Sequence, residues 1–301
     1  MDKDHPFAQG CAYIDGAFVP AGEARIPVLD YGFLRSDATY DVVHVWNGAF
    51  FRLDDHLERF LRNVGRLRMT LPMAREQLRA TAIECVRRSG LREAYLWTIC
   101  TRGRPAPGSR DPRRCENRLI VFAIPYVPYA NEEQRRRGLN VLIAETVRRI
   151  PSTSVDPTIK NLHWLDLEMA LFEAYDRGAE NAVLLDSDDN ITEGPGFNVF
   201  CIEAGVVVTS DRGALDGITR RTTLELCQEL GIPARVEAIS RARFLAADEI
   251  FFTTSAGGVL PVTRIEGRIL GNGAPGPVTA QLSEGYQEWH RTGRHATPVP
   301  Y

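Results

Sequence analysis

Residues 156–166 read Asp156-Pro-Thr-Ile-Lys-Asn-Leu-His-Trp-Leu-Asp166 and contain one of only two lysines in this 301-residue chain. Most of the 36 basic residues are arginines, and Lys3 is the only lysine besides Lys160. A lysine flanked by Ile159 and Leu162 differs from the exposed lysines of a protein surface. Two interpretations of Lys160 stay open here: a surface lysine at a helix start, or a desolvated amine whose lowered pKa makes it a Schiff-base nucleophile.

A second stretch, Asn190-Ile-Thr-Glu-Gly-Pro-Gly-Phe-Asn-Val199, places the carboxylate of Glu193 between a predicted strand and a Gly-Pro-Gly turn. Such a turn lets a backbone approach a ligand closely, although it is also typical of an ordinary surface turn. Two more turns carry hydroxyl groups, Gly217-Ile-Thr-Arg220 and Thr253-Thr-Ser-Ala-Gly-Gly258. Both suit a phosphate, because free N–H groups at a helix N-terminus attract a dianion; Thr is also an ordinary N-cap residue.

The first part of the chain is predicted to form hairpins and helices. Asp15-Gly16 and Asn47-Gly48 are type I′ turn signals, each between two apolar arms, and predict two hairpins. Apolar residues recur at three- and four-residue spacing from Leu57 to Leu67, which predicts a helix with Asp54 as its N-cap. Further along, the patterns predict a helix over 74–89 and strands over 93–102 and 117–124.

The second half of the chain alternates predicted strands and helices. The strands cover 139–147, 181–186, 199–209, 234–239 and 249–254, and the helices cover 162–177, 219–230 and 278–291. Pro125 and Pro128 interrupt an apolar pattern, which indicates a linker. We therefore expect an α+β protein with a small α/β domain over 1–124, a linker over 125–131 and a larger domain over 132–301, built as a mixed sheet or barrel with outer helices.

Composition excludes several classes of protein. With 36 Lys+Arg against 39 Asp+Glu, the chain has no basic field that could bind nucleic acid. Its longest apolar run, 119–127, is far shorter than the ~20 residues that cross a bilayer. The six cysteines form no CxxC pair and no histidine lies at metal-ligand spacing from them, so we expect reduced thiols and no metal site. Residues 1–10 do not match a signal peptide, and we expect a cytoplasmic protein.

Several short blocks of this sequence, taken in their order and spacing, resemble those of a known family. They are Phe51-Arg-Leu-Asp-Asp-His56 with Arg59, Thr146-Val-Arg-Arg-Ile150, Lys160-Asn-Leu-His-Trp-Leu-Asp166, Phe172-Glu-Ala-Tyr-Asp-Arg-Gly178, Thr192-Glu-Gly-Pro-Gly-Phe-Asn198, Gly217-Ile-Thr-Arg220 and Thr253-Thr-Ser-Ala-Gly-Gly258. Together they resemble the fold type IV pyridoxal-phosphate enzymes, a family of aminotransferases and lyases, from Tyr13 to the region of Trp289. The resemblance implies a two-domain α+β fold with a small α/β domain and a larger pseudo-barrel domain with outer helices.

The resemblance also implies a cofactor, pyridoxal 5′-phosphate, and a role for individual residues. Lys160 would form the Schiff base, and Glu193 would contact the pyridine nitrogen. The phosphate would be held by Arg59, Ile218, Thr219 and Thr254, and Trp164 would be a further cofactor contact. An anionic Glu favours the protonated ring, which is the better electron sink, and a released Lys160 can act as the base that moves the proton between Cα and C4′.

The central blocks resemble the R-selective amine transaminases most, because of Trp164 and the segments Thr39-Tyr-Asp-Val42 and Val45-Trp-Asn-Gly48. This implies a ping-pong transfer of an amino group from an R-configured amine or D-amino acid to a keto acid such as pyruvate. A branched-chain L-amino-acid aminotransferase and a lyase of the aminodeoxychorismate type stay open as alternatives. A non-catalytic protein of this fold would be expected to have lost Lys160 or Glu193.

Five residues are candidates for binding the substrate. Tyr40 lies in one of the segments that resemble the amine subgroup. The first candidate for binding the carboxylate of the keto acid is Arg110, and the second is Arg104; both lie in the Pro- and Gly-rich loop at 103–116. Arg35 and His44, near the expected pocket mouth, are the next candidates. The resemblance further implies a homodimer that acts on small-molecule amines and keto acids.

Overall fold

The structure is a computed structural model that describes residue 5 and residues 8–301, and these form two compact units. The first unit holds the described residues up to Val127 together with Ile159–Leu162 and Gly293–Tyr301. The second holds Pro128–Thr158 and His163–Thr292. The sequence assigns 132–301 entirely to the larger domain, whereas the structure groups the residues around Lys160 and the C-terminal residues with the first unit, because both pair with its strands.

The first unit is an antiparallel sheet covered on one face by two helices. Its elements are β1 (Cys11–Ile14), β2 (Ala17–Pro20), α1 (Tyr31–Arg35), β3 (Ala38–Trp46), β4 (Ala49–Phe51), α2 (Leu53–Arg66), α3 (Arg75–Ser89), β5 (Ala94–Pro105) and β6 (Cys115–Pro125), in the strand order β4-β3-β5-β6-β1-β2. Alternate strand residues such as Val43, Leu96 and Val121 pack against Phe60 of α2 and Leu78 of α3. The opposite face of the sheet carries the intervening side chains.

The turn signals of the first unit are confirmed. Asp15 with Gly16, and Asn47 with Gly48, all have positive φ angles and join β1 to β2 and β3 to β4, as type I′ turns do. The predicted N-cap Asp54 is wrong by two residues, because Arg52 adopts a left-handed conformation with φ 56° and the helix starts after it. Asp54 lies in the first turn of α2, where a carboxylate still favours the positive end of the helix dipole.

The second unit is a mixed sheet with helices outside it. Its elements are α4 (Glu132–Arg137), β7 (Leu139–Ile143), α5 (Leu165–Asp176), β8 (Asn181–Val183), β9 (Glu193–Gly194), β10 (Phe197–Glu203), β11 (Val206–Thr209), α6 (Ile218–Glu229), β12 (Ala234–Val236), α7 (Arg241–Leu245), β13 (Glu249–Thr254), β14 (Gly258–Ile265), β15 (Arg268–Ile269) and α8 (Pro277–Arg291). The strand order is β12-β11-β10-β13-β14-β7-β8, with β15 paired to β14 and β9 paired to β10. Within residues 5 and 8–301, none of the helices is long and apolar enough to span a bilayer.

Strand β9 closes this sheet into a barrel. On one side Glu193 pairs with Asn198 of β10. On the other side the backbone N–H of Leu184, just after β8, donates to the carbonyl of Glu193 at 3.0 Å. Val141 lies in the core inside the barrel, whereas Leu184 packs outward with the core under α5. The expected barrel with outer helices is therefore present. Glu193 lies in β9, the short strand that closes the barrel.

The C-terminal strand β16 (Ala296–Pro298) completes the first sheet. It runs antiparallel to β4, with Ala296 opposite Phe51 and Pro298 opposite Ala49. The sheet therefore has seven strands in the described part of the chain, and β16 covers the outer edge of β4.

The hairpin of β5 and β6 is longer than the sequence predicts, because a bulge carries both strands past their predicted ends. The register shifts between Thr101 and Arg104, and Gly103 in the bulge has φ +76°. A Cβ at Gly103 would lie 1.6 Å from the carbonyl oxygen of Glu116 on the facing strand. Only glycine fits this position, since any side chain would occupy the space of the partner backbone.

We expect Gly103→Ala to lower the free energy of unfolding by more than about 2 kcal/mol, because backbone strain of about 1–3 kcal/mol is joined by displacement of the facing strand. Gly108→Ala is the matched control, with φ +69° but nothing within 4 Å of its Cβ; it should cost only about 1 kcal/mol of strain. Urea unfolding of both variants measures the difference, and equal losses would show that the bulge does not depend on close approach of the strands.

Candidate active site

The carboxylate of Glu193 is the centre of a buried charge network in the second unit. Its Oε1 accepts a hydrogen bond from Arg149 Nε at 3.0 Å, and Arg149 Nη1 donates to Asp166 Oδ2 at 2.6 Å. Burial disfavours the charged guanidinium, but the carboxylates of Glu193 and Asp166 outweigh it, so the pKa of Arg149 lies above its ordinary value. Glu193 and Arg149 are only 7% and 6% exposed. The arrangement holds one carboxylate at a fixed position in the barrel wall.

The backbone of Leu215 connects this carboxylate to the start of helix α6. Its N–H donates to Glu193 Oε2 at 2.9 Å, and its carbonyl accepts from Asn198 Nδ2 at 2.8 Å and from the N–H of Gly217 at 2.8 Å. Gly217 is the N-cap residue of α6. The loop that leads into the helix is therefore fixed by the same strands, β9 and β10, that carry Glu193 and Asn198.

The N-terminus of α6 lacks a side-chain cap, which leaves its first N–H groups to another acceptor. Gly217 has no side chain to accept from them, and a Cβ there would lie 1.9 Å from Asn198 Oδ1. Ile218 and Thr219 form the first turn and are buried, and the helix packs against β13, which ends in Thr254. Backbone N–H groups and threonine hydroxyls at a helix start form a site for a dianion.

Lys160 belongs to the first unit, where its backbone is bound to strand β3. Its carbonyl accepts the hydroxyl of Thr39 at 2.7 Å and the N–H of Tyr40 at 3.1 Å. Its Nζ lies 4.5 Å from the centre of the Tyr40 ring. An ammonium over an aromatic face is held by the negative charge of the ring face, so both the backbone and the side chain of Lys160 are positioned by β3.

Arg59 lies in a second buried charge network on the helix-covered face of the first sheet. Its Nε and Nη2 donate to the two carboxylate oxygens of Asp41 at 2.7 and 2.8 Å, and His56 Nδ1 lies 2.7 Å from Asp41 Oδ1. Burial raises the pKa of a carboxyl, but Arg59 and His56 outweigh it and hold the pKa of Asp41 far below its usual range. Asp41 therefore fixes the guanidinium of Arg59 by a bidentate contact.

Three further predicted site residues are Trp164, Tyr40 and His44. Trp164 is the N-cap residue of α5, and its ring would lie 3.5 Å from a Cβ placed on Gly196 of the Gly-Pro-Gly turn. Tyr40 and His44 lie on the same face of β3, the latter stacked on Tyr126.

The three arginine candidates for the substrate carboxylate are exposed, whereas His44 is half-buried. Arg35 lies over the ring of Tyr31, Arg104 pairs with Glu116 at 3.4 Å, and Arg110 lies in the loop after β5. The assignment of a carboxylate to Arg110, Arg104 or Arg35 stays a prediction.

Three charged residues of these two networks are missed by reasoning from the sequence. Arg149 and Asp166 lie within blocks that carry the family resemblance, and Asp41 follows Tyr40 in another, so their positions are visible in the sequence but their roles are not. Pairing with Glu193 and Arg59 is a long-range contact that one sequence does not reveal. Among the described residues, no group of three His, Cys, Asp or Glu side chains is placed to hold a metal ion.

The residues present fit pyridoxal phosphate. A buried anionic Glu193 suits a protonated ring nitrogen, and the uncapped start of α6 with Thr219 and Thr254 suits a phosphate. Gly217 contributes to this fit because it supplies no side-chain cap for the first N–H groups of α6, and Asn198 Oδ1 occupies the space that a Cβ there would need.

Comparison with known proteins places these features in one family. The model for "Amino-transferase class IV" matches residues 38–265. A putative branched-chain-amino-acid aminotransferase of Methanocaldococcus jannaschii is 32% identical over 92% of this chain and 95% of its own length. A D-alanine aminotransferase of Bacillus licheniformis is 28% identical over 91% of this chain and 94% of its own length. The crystal structure of the T.th. branched-chain amino acid aminotransferase with pyridoxamine 5′-phosphate superposes with a TM-score of 0.89 at 30% identity, covering 97% of this chain and 99% of that one.

We expect Arg149→Met to lower the free energy of unfolding by about 3–5 kcal/mol, because it leaves the Glu193 carboxylate buried without its ionic partner. The double variant Arg149→Met with Glu193→Gln should recover part of that loss. Arg148→Met is the matched control, since Arg148 pairs with Asp189 at an exposed site and should change stability by less than about 1 kcal/mol. Denaturant unfolding measures the free energy of unfolding of each variant. Similar losses of stability at positions 148 and 149 would contradict a special role for the buried pair of Arg149 and Glu193.

Proposed function

The chain belongs to the amino-transferase class IV family, and on that premise we propose that it transfers an amino group from an R-configured amine or a D-amino acid to a keto acid such as pyruvate. That it is an aminotransferase and that its cofactor is pyridoxal phosphate follow from the family and from relatives crystallised with the cofactor. The donor class is the part that we propose.

The side chains of the site divide the work of an amino transfer. When bound, pyridoxal phosphate supplies an aldehyde that takes up the amino group and a ring that spreads the charge left when a proton leaves the substrate Cα. Lys160 provides the amine that attaches the cofactor and, once released, the base that accepts the Cα proton. Glu193, held by Arg149 and Leu215, would place a negative charge against the ring nitrogen. The start of α6 and Thr254 would hold the phosphate, and the family resemblance implies Arg59 as a further phosphate contact.

The observation that carries the donor class is the resemblance of the segments around Tyr40 and Trp164 to the R-selective amine transaminases. The ring of Tyr40 contacts the amine of Lys160, so this segment lies beside the reacting group. The D-alanine aminotransferase relative supports a donor of D configuration. Branched-chain L-amino acids are the second candidate donor, supported by the relatives that carry that name. The lyase alternative is not carried further, because the relatives named above are aminotransferases.

A spectroscopic assay of the first half-reaction tests this proposal. Purified holoenzyme is mixed with each enantiomer of 1-phenylethylamine, alanine and leucine while the visible band of the cofactor is followed. We expect the band to disappear with the R-amine and D-alanine at least about ten times faster than with their enantiomers, a difference of about 1.4 kcal/mol in barrier, and pyruvate to restore it. Lys160→Ala, which removes the base, should retain less than about a hundredth of the rate.

A faster response to L-leucine than to D-alanine would reject the proposed donor class in favour of the branched-chain alternative. The Glu193→Gln variant serves as a control for the cofactor contacts. It should lower turnover far more than cofactor affinity, because the phosphate contacts of α6 and Thr254 stay in place.

We also propose that the chain forms a homodimer, which is supported by its exposed apolar side chains. Val28 and Phe33 in the first unit are each 68% exposed, and Leu165, Met169 and Phe172 form an exposed stripe on α5 with helical spacing. Contiguous exposed apolar surface of this kind marks interfaces between proteins.

Light scattering after size-exclusion chromatography should give twice the chain mass of 33.6 kDa. Phe172→Glu should shift the population toward the monomer, because it places a charge in the stripe on α5, whereas Glu168→Gln on the same helix should not. A wild-type mass of a single chain at micromolar concentration would contradict the dimer.

A further inference from the structure

Arg220 lies in the first turn of helix α6, and the site described above gives it no role. Its Nε donates to the hydroxyl oxygen of Thr209 at 3.3 Å, and its Nη2 donates to the backbone carbonyl of Ser210 at 3.0 Å. Thr209 is the last residue of β11, and its own hydroxyl donates to the carbonyl of Val199 in β10 at 2.8 Å. The guanidinium therefore connects the start of α6 to the end of β11 and, through Thr209, to β10.

The surroundings of Arg220 do not balance its charge. The side chain is half-buried, and burial lowers the pKa of Arg220, because Asp216 and Asp211 offset the lost hydration only in part. Within the described part of the chain, neither carboxylate accepts a hydrogen bond from the guanidinium. The first turn of a helix is also its positive end, which disfavours a cation. A neutral donor such as glutamine would form part of the same contacts without these costs.

The loop that Arg220 spans carries the backbone group that binds Glu193. Residues 211–217, which we call the Leu215 loop, connect β11 to α6, and the N–H of Leu215 donates to Glu193 Oε2 at 2.9 Å. Arg220 joins Ser210, the residue before this loop, to the helix after it. Because both ends of the loop are held together, Leu215 has less freedom to move away from the carboxylate.

We propose that Arg220 is a positioning residue of the cofactor site: it holds the Leu215 loop so that the N–H of Leu215 stays on Glu193, and its charge is matched by the phosphate at the start of α6. The inference rests on the proposed placement of the cofactor, with its phosphate at α6 and its ring nitrogen at Glu193, and not on the amino donor. An anion at the start of α6 offsets both the charge of the guanidinium and the dipole of the helix. One side chain then connects the two ends of the cofactor site.

Hydrogen–deuterium exchange of the holoenzyme tests how Arg220 holds the loop. In Arg220→Met, the peptide that contains Leu215 should exchange at least about ten times faster than in the wild type, while peptides of β10 and β13 keep their wild-type rates. Arg221→Met is the matched control, because Arg221 is exposed and pairs with Glu225 of the same helix at 3.7 Å. Wild-type exchange of the Leu215 loop in Arg220→Met would overturn the proposal, and so would equal acceleration in Arg221→Met.

The match between the charge of Arg220 and the phosphate is tested by cofactor retention. The rate constant for loss of pyridoxal phosphate from diluted holoenzyme should rise about tenfold in Arg220→Met. It should rise by less than about threefold in Arg220→Lys, which keeps the positive charge. An unchanged rate in Arg220→Met, or equal losses in the two variants, would show that the charge of Arg220 does not act on the phosphate.

A variant of the partner residue keeps the proposal testable if Arg220→Met does not fold. Thr209→Val preserves the shape of the side chain but removes the acceptor of Arg220 Nε. It should speed exchange of the Leu215 loop by at least about threefold. Wild-type exchange of the loop in this variant would contradict the role of the Arg220 contact.

Failure of this inference is distinguishable from failure of the proposed function. Exchange and cofactor loss are measured without an amino donor, so a wrong donor class leaves both results unchanged. If Thr254→Val retains the cofactor as the wild type does, the proposed phosphate site is wrong, and the charge match with Arg220 is rejected with it. Loss of cofactor from Thr254→Val together with wild-type behaviour of Arg220→Met rejects the role of Arg220 alone.

Discussion

The buried carboxylate of Glu193 needs partners for its charge, and this requirement determines how several segments of the second unit are arranged. Glu193 carries its charge inside a barrel wall, where an isolated carboxylate would be strongly disfavoured. Arg149 supplies the opposite charge, and Leu215 supplies a backbone N–H. Each partner comes from a different part of the chain, so satisfying this one charge fixes a strand, the segment after β7 and the loop before α6 together. One hydrogen-bond network therefore fixes both the negative charge of Glu193 and the start of α6, which suits an anion, at a set distance from each other.

The first unit solves a similar problem with different residues. Asp41 is buried, and its charge is matched by Arg59, while His56 of the same helix hydrogen-bonds to it with a pKa that burial lowers. The neighbouring residue on the strand, Tyr40, turns its ring to the opposite face and contacts Lys160. Alternation along β3 thus places the polar network on one face of the sheet and the ring of Tyr40 on the other. The amine of Lys160 lies over that ring, whose face attracts a positive charge.

Local patterns predict the elements of this fold well, whereas contacts between distant segments cannot be predicted from them. The turns at Asp15-Gly16 and Asn47-Gly48 and the helical periodicity after Leu57 are properties of short segments, and the structure confirms them. Reasoning from the sequence assigns the chain around Lys160 to the larger domain, because its neighbours in sequence belong there. Its grouping with the first unit depends on hydrogen bonds from Thr39 and Tyr40, which lie more than a hundred residues earlier.

Site residues follow the same division. Lys160 and Glu193 stand out because each lies in an unusual local sequence. Arg149 does not, because nothing in its own segment shows that it meets a carboxylate 44 residues later. Strand β14 is also missed, since Gly258 and Pro261 break the local strand signal while pairing with β13 restores the strand. The resemblance to a family supplies roles for single residues but not these contacts.

The pairing of β16 with β4 has a consequence for how a newly made chain matures. Synthesis proceeds from the N-terminus, so the other six strands of the first sheet and the second unit are translated before β16. Until then the outer edge of β4 exposes unpaired backbone groups that could bind a strand of another nascent chain. Because β4 has only three residues, that edge offers little length for mispairing. The strand that seals the sheet is therefore translated after the other six strands of that sheet.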